Sequence, residues 1–275
     1  PHMKAYDNIA SPLRANNKNI PHDEIDQKVR EVASLLKIEH VLNQFPKELS
    51  NGQKQRTSLA RSLISKPSVV LLDDPLRNVD AKIRFEMRLE LPRVLKEFNT
   101  TVIYVTQDFR EAMALGDRIA VLYDGKFNDI DSPKNIYQNP SSLTTAKLFG
   151  DPTINNFDAN IKKQNDFVQI DVKGEQIKLK RKTNVQDGDC IVGIRPEDII
   201  LSNEPSENSI EVEFRTKTPL NLRIVFLVRL KNGLEFLCST TEEESQLIDE
   251  NKKMYISFLE EKSHFFDTET KRNLE

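Results

Sequence analysis

The chain has 275 residues, of which 37% are hydrophobic and 30% charged, and its formal net charge is −3 at neutral pH. That length holds two domains of roughly 100 to 200 residues, with a composition that builds a core rather than a disordered or fibrous chain. The balanced charge excludes the basic footprint of a nucleic-acid binder, and no apolar run reaches the ~18 residues of a membrane span, since even the aliphatic stretch 224–230 is broken by Arg229.

The start, Pro1-His2-Met3-Lys4, shows no basic region followed by an apolar segment, so no secretory signal is expected. Cys190 and Cys238 have no metal-type spacing and read as buried thiols of a cytoplasmic protein. In chain order, Ile25, Val29, Val32 and Leu36 recur at helical spacing and predict an amphipathic helix over 23–36. A second helix over 50–65 is announced by Ser50 and Gln53, the reciprocal capping pair, and stopped by Pro67. Val69-Val70-Leu71-Leu72 reads as a parallel strand buried on both faces, ending in Asp73-Asp74-Pro75. A helix from Ala81 should kink or split at Pro92. A strand over 102–105, a helix over 109–115 closed by Gly116, and a strand over 119–123 continue the alternation that defines an α/β sheet.

Asp124-Gly125 is a hairpin dipeptide and Ser132-Pro133 opens a short helix. Gly150-Asp151-Pro152 closes the α/β pattern, so the domain boundary is expected there, giving domains 1–150 and 151–275. Beyond it, short strands at 167–172, 191–194, 224–230 and 255–258 predict a small β-barrel or sandwich.

The most specific stretch is Leu49-Ser50-Asn51-Gly52-Gln53-Lys54-Gln55-Arg56, followed by the Asp73 strand and Leu76-Arg77-Asn78-Val79-Asp80. A capped helix start aims free backbone N–H groups and a partial positive charge outward, Gly52 allows close approach of phosphate, and Ser50 offers a hydroxyl. In order and spacing these segments resemble the signature, Walker B strand and D-loop of ABC ATPases. The resemblance extends to a switch region at Tyr104-Val105-Thr106, Asp108 and Glu111-Ala112-Met113, and to a C-terminal segment, Val192-Gly193-Ile194-Arg195-Pro196-Glu197-Asp198, similar to the TOBE-type domain of sugar-importer ATPases.

The resemblance implies a partial ABC ATPase domain, with a helical subdomain at about 1–67 and the Walker B to switch region at 68–150, followed by an all-β, TOBE-like or OB-like regulatory domain. It also implies ATP and Mg²⁺ as ligands. Ser50, Asn51, Gly52 and Gln53 would meet ATP across a dimer, Asp80 would act from the D-loop, and Asp73 would reach Mg²⁺ through water. The partners implied are membrane permease subunits and a second ATPase chain, identical or not, at the cytoplasmic face of the membrane, with no nucleic acid. The tail points to carbohydrate, although polyamine, iron and sulfate importers carry similar β domains.

Three departures stand out. The sequence holds no Gly-x₄-Gly-Lys-Ser/Thr phosphate loop. Asp74 occupies the place of the family's water-polarising glutamate, and a carboxylate drawn back by about 1 Å costs on the order of 100-fold in rate. Gln107 occupies the place of the switch histidine; losing a well-aimed donor costs roughly 100- to 1000-fold. None of His2, His22, His40 and His264 lies near enough in sequence to replace it. In a head-to-tail dimer the degenerate face and the intact signature belong to different ATP sites. The expectation is therefore a chain that does not hydrolyse ATP alone and offers its signature to a partner. The competing reading is a non-hydrolysing regulatory or scaffold subunit that binds a solute or signalling protein through its β domain.

Overall fold

The chain folds as a mixed α/β protein in a computed structural model that describes residues 1–16, 20–77, 81–164, 167–172, 174–180, 185–206, 208–220 and 222–275. It divides into two compact units, Pro1–Gly116 and Asp117–Glu275. No helix among the described residues is long and apolar enough to cross a membrane.

The first unit begins with three helices, α1 (Ala5–Asn16), α2 (His22–Leu35) and α3 (Asn51–Leu63). The spacing of Ile25, Val29 and Val32 brings them to one buried face of α2, and α3 buries Thr57, Leu59, Ala60 and Leu63 in the same way. Strand β1 (Val69–Asp73), helix α4 (Ala81–Glu97), strand β2 (Thr101–Val105) and helix α5 (Phe109–Leu115) follow. One apolar cluster gathers Ile9, Val29, Leu63, Val70 and Leu91 from five of these elements. Helix α4 runs unbroken through Pro92, against the expectation of a split. A proline inside a helix forfeits one backbone bond, and here Met87, Leu91 and Val94, all buried, anchor the turns on either side of it.

Strands β1 and β2 pair in parallel, with Val70 opposite Val102 and Asp73 opposite Val105. Their two faces differ. Val70, Leu72 and Tyr104 pack on the apolar cluster, whereas Val69, Leu71, Ile103 and Val105 stand on an exposed face, Leu71 at 73%. The aliphatic run predicted cover on both faces; among the described residues the pair forms a two-stranded sheet by itself, and nothing is stacked on the second face.

The second unit opens with a hairpin of β3 (Ile119–Tyr123) and β4 (Lys126–Asp131). Asp124 and Gly125 both take positive φ, 49° and 70°, as a type I′ turn requires. So β3 pairs antiparallel with β4 rather than joining β1 and β2. Helices α6 (Pro133–Gln138) and α7 (Leu143–Leu148) come next, with the Ser132 hydroxyl accepting from the Asn135 amide at the start of α6.

Two antiparallel five-stranded sheets complete this unit. One has the order β14 (His264–Phe266), β8 (Gly188–Ile194), β5 (Asn155–Gln164), β6 (Phe167–Val172), β7 (Glu175–Lys180). The other has the order β12 (Glu235–Thr241), β11 (Arg223–Arg229), β10 (Ile210–Leu220), β13 (Met254–Phe258), β9 (Ile199–Ser202), with the short helix α8 (Glu242–Gln246) after β12. Alternate residues of both sheets share one core, in which Phe157 of β5 meets Phe236 of β12 edge to face at 5.3 Å. The Asn155 amide bridges the sheets, donating to Leu237 O at 2.9 Å and accepting from Leu237 N at 2.8 Å. Cys190 and Cys238 lie in this core, and burial pushes the Cys190 thiol up to about 12 and raises the Cys238 thiol as well.

The break between the units falls at Gly116 and Asp117, ahead of the composition change at 150. The reason is a buried arginine. Arg195 donates to Phe149 O and to Tyr137 O, and its guanidinium stacks 3.7 Å above the Tyr137 ring. Leu143 and Ala146 of α7 add apolar contact with Ile154, Ile191 and Phe266. The segment after the hairpin is thus tied to the β sheets.

Candidate functional site

The start of α3 is built locally. Ser50 has extended backbone angles; its hydroxyl accepts from Gln53 N at 3.3 Å while its own amide donates to Gln53 Oε1 at 2.9 Å. Each side chain satisfies a backbone N–H that the first turn leaves open, which is the predicted reciprocal box. Ser50 and Asn51 are exposed, Gln53 is half-buried, and Gly52 is buried in the first turn. Gln53 Nε2 also lies 3.4 Å from His40 Nε2, so one histidine read as remote in sequence sits against the signature in space. The helix is held by Arg56, whose guanidinium donates to Leu36 O at 3.1 Å and faces Glu90 of α4 at 3.3 Å; Lys37 meets the same carboxylate.

The second group of predicted residues gathers at the ends of β1 and β2. Asp73 closes β1 opposite Val105, on the exposed face of the pair. Asp74 follows with φ 42°, a left-handed backbone that aspartate tolerates better than most side chains, and its amide donates to Val105 O at 2.8 Å. Its carboxylate lies 3.9 Å from the Arg77 guanidinium. The D-loop positions Asn78, Val79 and Asp80 lie outside the described residues.

Gln107 is exposed on a bend between Thr106 and Asp108. Both neighbours are tied down. The Thr106 hydroxyl donates to Glu111 Oε2 at 2.9 Å and accepts from Asp108 N at 3.0 Å, and Asp108 caps α5 by accepting from Arg110 N at 2.9 Å. Tyr104 OH donates to the same Glu111 oxygen at 2.9 Å. Burial, and then that hydrogen bond to Glu111, raise the Tyr104 hydroxyl well above the ordinary tyrosine value. Arg88 of α4 reaches Asp108 Oδ2 at 2.6 Å and Glu111 Oε1 at 3.8 Å, and Arg84 stands 4.0 Å from Glu111.

The fold thus brings Asp73, Asp74 and Gln107 to neighbouring strand ends. No hydrogen bond or ion pair among the described residues joins them to Ser50 or Gln53. Sequence reasoning placed Arg77 in the D-loop-like segment and Glu111 in the switch-like segment without a role of their own, and singled out neither Arg88 nor His40 for the site. A further clue was the spacing of Arg84 and Arg88, one turn apart on a helix that must bury a face. Among the described residues, no three His, Cys, Asp or Glu side chains are grouped to hold a metal ion. One exposed carboxylate at a strand end fits Mg²⁺ held mainly by phosphate oxygens and water rather than by a protein cage.

Comparison with known proteins gives the same direction. The ABC transporter family matches residues 1–77. The trehalose/maltose import ATP-binding protein MalK of Thermococcus litoralis is 37% identical over 98% of this chain and 74% of its own length. The xylose/arabinose import ATP-binding protein XacK of Haloferax volcanii is 35% identical over 98% of this chain and 70% of its own length. The sn-glycerol-3-phosphate import ATP-binding protein UgpC of Psychromonas ingrahamii is 38% identical over 78% of this chain, which spans 55% of that protein. The chain belongs to the ATP-binding proteins of ABC transporters. The relatives compared are import ATP-binding proteins, two of them named for sugars.

Proposed function

We propose that this chain is the energy-coupling subunit of a carbohydrate importer, acting at the cytoplasmic face of the membrane against permease subunits and a second ATP-binding chain. The relatives named for trehalose/maltose and xylose/arabinose import support the solute class. Bound ATP would supply the phosphoanhydride, and Mg²⁺ would neutralise its charge. Ser50 would donate its hydroxyl to phosphate across the dimer, with Asn51, Gly52 and Gln53 completing the helix start. Asp73 would hold Mg²⁺ through water. Asp74 and Gln107 would stand where water is polarised and the terminal phosphate is contacted, and Asp80 would act from the D-loop. We keep the functional division at 1–150 for nucleotide handling and 151–275 for a TOBE-like regulatory role.

The observation that carries this reading is the contrast between a complete Ser50–Gln53 box and a strand end where Asp74 is left-handed and faces Arg77. The first can serve a partner's ATP, whereas the second is poorly set to activate water on its own. The test is Mg-ATP turnover of this chain mixed with an ATP-binding subunit that carries a phosphate loop, comparing Ser50 with Ser50→Arg. Turnover is expected to fall about 100-fold or more, as for loss of a transition-state donor; unchanged turnover defeats the reading. The Asp74–Arg77 pairing also favours the second reading, a non-hydrolysing regulatory subunit, which predicts no turnover in the mixture beyond that of the partner alone.

A further inference from the structure

The bend that carries Gln107 is fixed by groups that never reach it. Glu111, in the first turn of α5, is 2% exposed. One of its oxygens accepts two hydroxyls, from Tyr104 on β2 and Thr106 at the bend, each at 2.9 Å. The other faces Arg88 at 3.8 Å and Arg84 at 4.0 Å, both from α4. Arg88 continues to Asp108 at 2.6 Å, and the Asp108 amide returns to the Thr106 hydroxyl at 3.0 Å. Glu111, Thr106, Asp108 and Arg88 therefore form a closed ring of hydrogen bonds and ion pairs around residues 106–108. Gln107 itself stays exposed at the centre of that bend.

A buried carboxylate with this many donors has few alternative partners, so the ring holds one arrangement. Any displacement of Thr106 or Asp108 breaks a bond to a buried charge. We propose that Glu111 is a positioning residue: through Thr106, and through Arg88 and Asp108, it fixes the bend so that Gln107 is presented beside the Asp73 and Asp74 strand end. The proposal rests on the reading of Gln107 as a phosphate-contacting residue for its consequence in turnover, but not for its consequence in the bend. A ring that merely joined α4 to α5 would loosen both helices when cut. A positioning ring loosens the bend first.

The test uses the whole chain and two variants, Glu111→Gln, which keeps shape and removes charge, and Thr106→Val, which leaves Glu111 with its arginines. In hydrogen exchange, both variants are expected to speed the amides of Asp108 and Arg110, which donate to Thr106 and Asp108, about tenfold or more, with β1 and α3 unchanged, as for a local opening. Uniform acceleration across the first unit, or none at 108 and 110, overturns the proposal. Exchange in the double variant Glu111→Gln with Thr106→Val supplies the second measurement: cutting the same ring twice is expected to add nothing beyond Glu111→Gln alone. An additive acceleration overturns the proposal. These exchange rates decide whether Glu111 holds the bend, whether or not Gln107 contacts phosphate.

Discussion

The start of α3 and the bend after β2 both present polar side chains from an ordered backbone, yet they are held in opposite ways. Ser50 and Gln53 cap each other three residues apart and need little beyond their own turn. The bend draws on Tyr104 from β2, Arg88 from α4 and Glu111 from α5, and its central carboxylate is buried. A local device is worth the modest energy of a cap and survives rearrangement around it. A device assembled from three elements is worth more and fails as a unit.

Five substitutions rank the two regions by what each one holds. Arg88→Met should be the most damaging, lowering stability by about 3 kcal/mol in urea unfolding followed by helical circular dichroism, because it leaves Glu111 and Asp108 without their shared cation. Tyr104→Phe should cost about 1.5 kcal/mol at neutral pH, the worth of a hydrogen bond to a charged group. It should also change the alkaline limb. The folded Tyr104 hydroxyl titrates above its unfolded value, so its contribution is fully present below the ordinary tyrosine value of about 10 and is lost as pH rises beyond it. The variant should therefore unfold less steeply above that pH in an alkaline titration. The Ser50–Gln53 box holds no ionisable group, so substitutions there should leave that limb alone.

Ser50→Ala should cost about 1 kcal/mol in thermal unfolding, and adding Gln53→Ala should cost less than the sum of the two single changes, since each caps the other. A loss larger than that of Arg88→Met would reverse the ranking of the two regions. Arg77→Ala should be smallest, within about 0.5 kcal/mol, because its contact with Asp74 is long and Arg77 is mostly exposed.

The same contrast governs what could be read from sequence. Ser50 with Gln53, Asp124 with Gly125, and Ser132 with Pro133 signal their structures over two to four residues, and each forms as predicted. The alternating segment 167–172 is likewise a strand, because burial on one face imposes a period of two. The Glu111 ring was legible only in part: Tyr104, Thr106, Asp108 and Glu111 stand in one switch-like segment, but their contacts and the place of Arg88 were not legible, since helical spacing alone does not say which acid an arginine will meet. The aliphatic run at 69–72 correctly gave a parallel strand, but burial of its second face depends on a layer that no local pattern supplies. For a related reason Pro92 does not split its helix: packing of Leu91 and Val94 outweighs a local propensity. Asp73, Asp74 and Gln107 come to adjoining strand ends; the left-handed Asp74 and its arginine neighbour were signalled by no local pattern.

The two cysteines of the chain give these ideas a practical handle. Cys190, with its thiol pushed up to about 12, carries on the order of one thiolate in 10⁵ molecules at neutral pH, and Cys238 is fully enclosed. A maleimide should therefore label the native chain very slowly, as a labelling time course would show. A single cysteine introduced at exposed position 107 would then take up a spin label or fluorophore almost alone, turning the bend into its own reporter without first stripping the core of its natural sulfur.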